Sequence, residues 1–225
     1  MLNAIPGVDY HFNDPSLLHQ ALTHKSHGRC NYERLEFLGD SILNLVVSTR
    51  LFELYPEASE GDLSRMRARV VRGKTLGDIA LNLDLGRYLT LGAGEMKSGG
   101  FRRSSILADA LEALLGAIFL DGGYSACRQV IAALCDPLIR NLPSAEELKD
   151  AKTRLQEWLQ SRGRPLPVYE LERREGADHA SKFYVRCHLP DDRLQVLASG
   201  NSRRKAEQAA AGELLALVSA TAKSR

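Results

Sequence analysis

From Asn13 to about Asn141 the apolar residues recur at helical spacing, and β-branched alternation is scarce. That periodicity predicts an all-helical unit. Asp14-Pro15 marks a helix start leading into Leu17, Leu18, Ala21 and Leu22. A long periodic stretch over about 32–55 is stopped by Pro56, and a second follows the Glu60-Gly61-Asp62 turn and runs to about Leu83. Residues 91–100 contain four glycines and read as a loop. A strongly apolar helix is expected over about 104–120, ending at Gly122-Gly123, with one more over about 125–141.

Residues 143–149 are polar, follow a helix end and read as a linker between a first domain, 1–142, and a second, 150–219, with a tail at 220–225. Past the linker the period changes. A helix over about 151–161 precedes Pro165 and Pro167; then 169–172, 183–189 and 194–198 alternate like strands, and a helix begins at Ser202. Helix, three strands, helix makes an α+β module (α-β-β-β-α).

Charge sharpens this division. Residues 150–225 carry 14 basic against 10 acidic side chains, a net +4, whereas the first 149 carry 16 against 18, a net −2. A basic module on a slightly acidic body suits a polyanionic partner. No apolar run approaches the ~20 residues of a membrane span. No secretory signal is visible at the start, and Cys30, Cys127, Cys135 and Cys187 form no C-x-x-C pair. The expectation is a cytoplasmic protein with reduced, structural thiols and no zinc.

The chemistry concentrates in Glu33-Arg34-Leu35-Glu36-Phe37-Leu38-Gly39-Asp40-Ser41. At ~100° per residue, with Glu33 at zero, Glu36 falls near ~300° and Asp40 near ~340°, while Leu35, Leu38, Ile42, Leu45 and Val46 lie opposite. Three carboxylates on one face describe either a solvated acidic face or a cation site. A second pair favours the cation: residues 106–120 are apolar all round except at Asp109 and Glu112. Two carboxylates one turn apart on a largely buried helix need a partner, which a hard divalent cation, Arg102, Arg103 or a helix end would supply. Phe37, near ~40° on the acidic side, needs cover from another helix of its own chain or from a second subunit. Arg65, Arg69 and Arg72, at i, i+4 and i+7, would share a face for phosphate contact or for ion pairs across a dimer.

These residues resemble bacterial ribonuclease III. The resemblance is carried by 33–41, Glu60-Gly61-Asp62, Met66-Arg67-Ala68, Lys97-Ser98-Gly99-Gly100-Phe101-Arg102-Arg103 and Ala108-Asp109-Ala110-Leu111-Glu112-Ala113, in order over nearly the whole chain. It implies an all-α endonuclease domain followed by a double-stranded RNA-binding domain. The implied enzyme is a homodimer that hydrolyses double-stranded RNA with Mg2+, Mn2+ being an acceptable substitute. Processing of structured precursors such as rRNA and some mRNAs is implied, with no membrane or small-molecule substrate involved. Glu36, Asp40, Asp109 and Glu112 match the family's metal-binding carboxylates. Glu33 matches an auxiliary acidic position, Phe37 an aromatic that enters a socket on the partner subunit, and Glu60 a residue near the partner's site. Ser104 departs from the pattern, standing where a glutamate is expected.

Water as nucleophile predicts 5′-phosphate and 3′-hydroxyl ends, and the resemblance adds short 3′ overhangs. In the second module Arg203, Arg204 and Lys205 occupy a helix's first turn, where the macrodipole disfavours cations unless a phosphate binds there. The resemblance assigns minor-groove contacts to Thr153, Gln156, Glu157 and His179. A catalytically inactive double-stranded RNA-binding regulator is the alternative, against which stand the four carboxylates.

Overall fold

A computed structural model describes residues 2–176 and 181–223. The chain divides into two compact units, Met1–Ala145 and Glu146–Arg225. The first is helical: α1 Pro15–Ala21, α2 Glu33–Leu54, α3 Glu60–Val70, α4 Gly73–Asn82, α5 Ala93–Lys97 and α6 Ser104–Arg140. Asp14 caps α1, accepting a hydrogen bond from the Ser16 amide, and Ser59 caps α3 through the Asp62 amide.

The core forms where α6, flanked by α1, α2 and α4, buries Leu111, Leu114, Leu115 and Ile118 against Leu18, Leu43, Val46 and Leu76. Polar links fasten its ends. Asp121 of α6 accepts hydrogen bonds from the Tyr10 hydroxyl (2.6 Å) and from the Asn13 and Asp14 amides. Arg50 of α2 grips Asp136 through two nitrogens, at 3.1 and 2.7 Å. α6 is interrupted at Gly123, whose φ of 75° and ψ of −176° leave the helical region, where the sequence marks a helix end.

Four expectations for this unit need correction. The helix expected to follow the Glu60-Gly61-Asp62 turn and run to about Leu83 is two, because Arg72 is extended (φ −66°, ψ 144°) and separates α3 from α4. Arg72 therefore lies beyond the end of α3, its Nε donating to Thr75, and shares no helical face with Arg65 and Arg69. Arg65 itself pairs with Asp62 within α3. Residues 91–100 hold the short helix α5, and Glu60-Gly61-Asp62 is the first turn of α3, not a turn before it.

The second unit comprises most of a short helix, α7 Ala145–Leu148, then α8 Ala151–Gln160, β1 Val168–Glu175, β2 Lys182–His188, β3 Gln195–Gly200 and α9 Arg203–Lys223. The strands form an antiparallel sheet in the order β1-β2-β3. Leu155 and Leu159 of α8 meet Ala210, Ala211, Leu214 and Val218 of α9 over Cys187 and Ala198 of the sheet. β1 is longer than the sequence alternation indicated, with an irregularity between Leu171 and Arg173, and α9 continues into the stretch read as a tail. No helix among the described residues is long and apolar enough to cross a membrane. All four cysteines are free; Cys127, Cys135 and Cys187 are buried, but Cys30 is exposed and so is no part of the core.

Candidate metal centre

Two glycines decide how closely α2 and α6 approach. A Cβ on Gly39 would fall 1.7 Å from the Glu112 carbonyl oxygen, and one on Gly116 would fall 2.2 Å from that of Leu35. The helices thus touch backbone to backbone, and the carboxylates flanking the crossing converge. Glu36, Asp109 and Glu112 each place a carboxylate oxygen within 4.8 Å of the others'. The pocket they share, with a volume of about 340 Å³, is also lined by Lys25, Tyr32, Glu33, Phe37 and Asp40.

Asp40 belongs to the pocket but not to the tight group of three. It is exposed, and its Oδ1 accepts a hydrogen bond from Asn44 at 2.8 Å. Glu33 stands at the rim, paired with Lys25 at 3.3 Å. Arg103 is turned to Glu95 and Arg102 lies over Phe101, so neither neutralises Asp109 or Glu112. Among the described residues no ion pair reaches Glu36, Asp109 or Glu112.

The electrostatics record that lack. Burial, followed by the charges of Asp40, Asp109 and Glu36, raises Glu112 to about 8. Burial also raises Asp109 and, with the Asp109 charge next, Glu36. The Tyr32 hydroxyl is pushed well above its ordinary range by burial and then by Asp109, Glu36 and Glu33. Among the described residues Lys25, and after it the buried His24 that desolvation holds below its ordinary range, act against the rise of Asp109. An all-oxygen donor set of three carboxylates, beside a buried hydroxyl with no partner among the described residues, fits a hard divalent cation.

Stability should follow this repulsion. With its folded pKa raised above the unfolded ~4.3, Glu112 stabilises the metal-free protein fully at acid pH, and that contribution is lost as pH rises through about 8. The metal-free melting temperature should therefore fall from about pH 7 to about pH 8.5, a window above the His24 titration, and a divalent cation should reverse the trend. Thermal melts with chelator and with Mg2+ read this directly; a metal-free midpoint that rises with pH contradicts it.

Sequence reasoning missed Tyr32, Lys25 and the two glycines. Lys25 arrives through a long-range contact: Thr23 bridges Thr90, and the Ser26 hydroxyl accepts from the Gly92 amide. Local spacing carries no signal of that kind. Gly39 and Gly116 were visible only as small residues within helical runs.

The remaining sequence-derived residues lie elsewhere. Glu60 lines a separate groove with Ser48, Thr49, Phe52 and Arg67, its carboxylate bound by Ser64. Phe37 is 78% exposed, so no helix of its own unit covers it. Ser104 presses on α4, its hydroxyl 2.2 Å from where a Gly77 Cβ would stand. On α8, the Thr153 amide donates to Asp150, Gln156 is exposed and Glu157 pairs with Lys149. At the start of α9, Ser202 caps the Lys205 amide and Arg203 turns back to Glu207 at 3.0 Å, while Arg204 and Lys205 stay exposed. His179 lies outside the described residues.

A carboxylate pocket on a helical unit, joined to an α-β-β-β-α module with an exposed basic helix start, defines a cation-dependent enzyme class built to meet a polyanion. Residues 14–138 match the ribonuclease-III-like family, and residues 151–218 match the double-stranded RNA binding motif. Ribonuclease 3 of Bordetella avium is 55% identical over 204 residues, 91% of this chain and 81% of that one. Ribonuclease 3 of Shewanella amazonensis is 51% identical over 211 residues, 94% and 93% of the two chains. A solved nuclease domain of ribonuclease III from Campylobacter jejuni, described for structural flexibility in a region involved in dimer formation, superposes with a TM-score of 0.57 at 44% identity, covering 58% of this chain and 92% of that one. The chain belongs to the bacterial ribonuclease III family and carries a double-stranded RNA-binding module.

Proposed function

We propose that this chain is a homodimeric, Mg2+-dependent endoribonuclease that cuts double-stranded RNA, processing structured precursors such as rRNA and some mRNAs. The observation that carries the reading is the convergence of Glu36, Asp109 and Glu112, none of which forms an ion pair among the described residues. These three hold the cation, and Asp40 supplies a fourth carboxylate at the rim by giving up its bond to Asn44. When bound, Mg2+ would activate water, polarise the scissile phosphate and stabilise the departing 3′ oxygen. Lys25 offers the pocket's mouth a positive charge for the phosphate backbone. Because water attacks, each cut leaves a 5′-phosphate and a 3′-hydroxyl. The test is long duplex RNA and single-stranded RNA, each with and without Mg2+. Cleavage of duplex alone, and only with cation, is expected; binding without cleavage would favour an inactive regulator.

The dimer reading is supported by the exposed apolar stripe of Phe37, Leu45 and Phe52 along α2. Beside Phe37 lies a mostly apolar hollow of about 610 Å³ lined by Leu35, Leu38 and Leu120 together with Gln20, Glu33 and Arg34, large enough for a partner's ring. Phe37→Ala should weaken association by roughly 2 kcal/mol or more per ring, the scale of an aromatic anchor. Sedimentation velocity across a dilution series measures this, and an unchanged dimer would place the interface elsewhere.

For the RNA module, Arg204 and Lys205 are the first-turn cations not turned to an acidic neighbour, which supports phosphate contact. Changing each to Ala should weaken binding equally for all duplex sequences and lower the slope of log affinity against log salt by about one. Filter binding at several salt concentrations reads both effects; a sequence-selective loss contradicts the assignment.

A further inference from the structure

We propose that the Tyr32 hydroxyl positions the catalytic cation by hydrogen-bonding a water of its hydration shell and so fixing it against Glu36, Asp109 and Glu112. This rests on the reading of the acidic cluster as a cation site. Tyr32 is 1% exposed, lines the acidic pocket, and its hydroxyl has no hydrogen-bond partner among the described residues. A buried hydroxyl without a partner is costly, so such a group marks a place where something outside the polypeptide completes the set.

The ring has little freedom to find a partner elsewhere. Its amide donates to the Thr23 carbonyl at 2.9 Å, and its own carbonyl accepts from the Leu35 and Glu36 amides at 2.8 and 2.9 Å. The His24 ring meets it edge-on, with centroids 5.5 Å apart. His24 is in turn fixed by Ser26, whose amide donates to Nδ1 at 3.1 Å, leaving the imidazole proton on Nε2. Tyr32 and Glu36 therefore leave one helical turn together, the tyrosine held by a buttress from the α1–α2 loop.

Tyr32 lines the pocket together with the carboxylates, and its hydroxyl hydrogen-bonds none of them. One water bridges such groups where several of them converge, and Mg2+ retains several of its waters in protein sites. Outer hydrogen bonds of this kind usually contribute tenfold to hundredfold in cation affinity. Such a water would turn its oxygen to the cation and its hydrogens outward, so it would donate to the tyrosine's hydroxyl oxygen, and no proton leaves the tyrosine.

The experiment uses the full chain as wild type, Tyr32→Phe and Asp109→Asn, and reads Mn2+ binding by electron paramagnetic resonance of the free ion, without RNA. Tyr32→Phe should bind Mn2+ at least about tenfold more weakly than wild type, and its metal-free melting temperature should equal or exceed the wild-type value. Wild-type Mn2+ affinity in Tyr32→Phe, with Asp109→Asn impaired, overturns the role of Tyr32 alone. Equal affinity in wild type and Asp109→Asn overturns the cation-site reading and Tyr32's role with it. A lowered metal-free melting temperature in Tyr32→Phe would reveal an internal partner for the hydroxyl and also count against the proposal.

Discussion

Glu112→Gln will lower the rate of duplex cleavage on the order of 10³-fold or more, the scale of losing a group that organises transition-state charge, while duplex binding persists. Glu112 comes from the most buried stretch of α6 and feels Asp40, Asp109 and Glu36 at once. Its ionised form is disfavoured unless a cation lies beside it. Glutamine keeps the shape and removes the charge, so it removes a ligand and relieves repulsion in one step. The metal-free variant should accordingly melt at or above the wild-type temperature above neutral pH, and Mg2+ should stabilise it less than wild type. Loss of activity with a gain in metal-free stability is a combination that a misfolded variant does not produce. Single-turnover cleavage, gel shift and thermal melts on one preparation decide it. Cleavage at the wild-type rate would remove Glu112 from the site.

Gly39→Ala will destabilise the helical unit by about 3 kcal/mol or more, the upper end of overpacking costs, and will impair cation binding with it. The added methyl would meet the Glu112 carbonyl oxygen at 1.7 Å and its carbon at 2.6 Å. Both atoms belong to backbone inside a helix, so neither swings aside as a side chain would. α2 and α6 must separate, and the carboxylates of Glu36 and Asp109, one on each helix, separate with them. Gly73→Ala is the control. A Cβ there meets nothing within 4 Å, and alanine suits the start of α4, so stability should change by less than about 1 kcal/mol. Urea denaturation of the two variants makes the comparison, and equal stability would mean that the helices do not meet through Gly39.

What the sequence showed and hid follows from the range of the forces involved. The face shared by Glu33, Glu36 and Asp40, and the isolation of Asp109 and Glu112 in an apolar helix, are local periodicities, so they were readable along the chain. Which of those carboxylates actually meet depends on how two helices cross, and that is set by Gly39 and Gly116, whose significance lies in what they lack. Asp40 shares the helical face of Glu36 but stands apart from the three, and Asn44, one turn on, binds it.

The break between α3 and α4 was hidden because apolar spacing continues across Val71-Arg72, although the backbone turns there. That single extended residue removes Arg72 from the face it was expected to share with Arg65 and Arg69. Tyr32 and Lys25 enter the pocket through the loop pinned at Thr90 and Gly92, a tertiary contact that nothing nearby in the chain announces. Phe37, in contrast, left two explanations open, and its exposure removes the one that kept it inside its own unit.

Crystals of the full chain equilibrated with Mn2+ at a concentration that supports cleavage test the central claim most directly. The account predicts an anomalous scattering peak enclosed by the side chains contributed by Glu36, Asp109 and Glu112. A pocket without such a peak, or one whose acidic groups have turned to basic side chains, would contradict it.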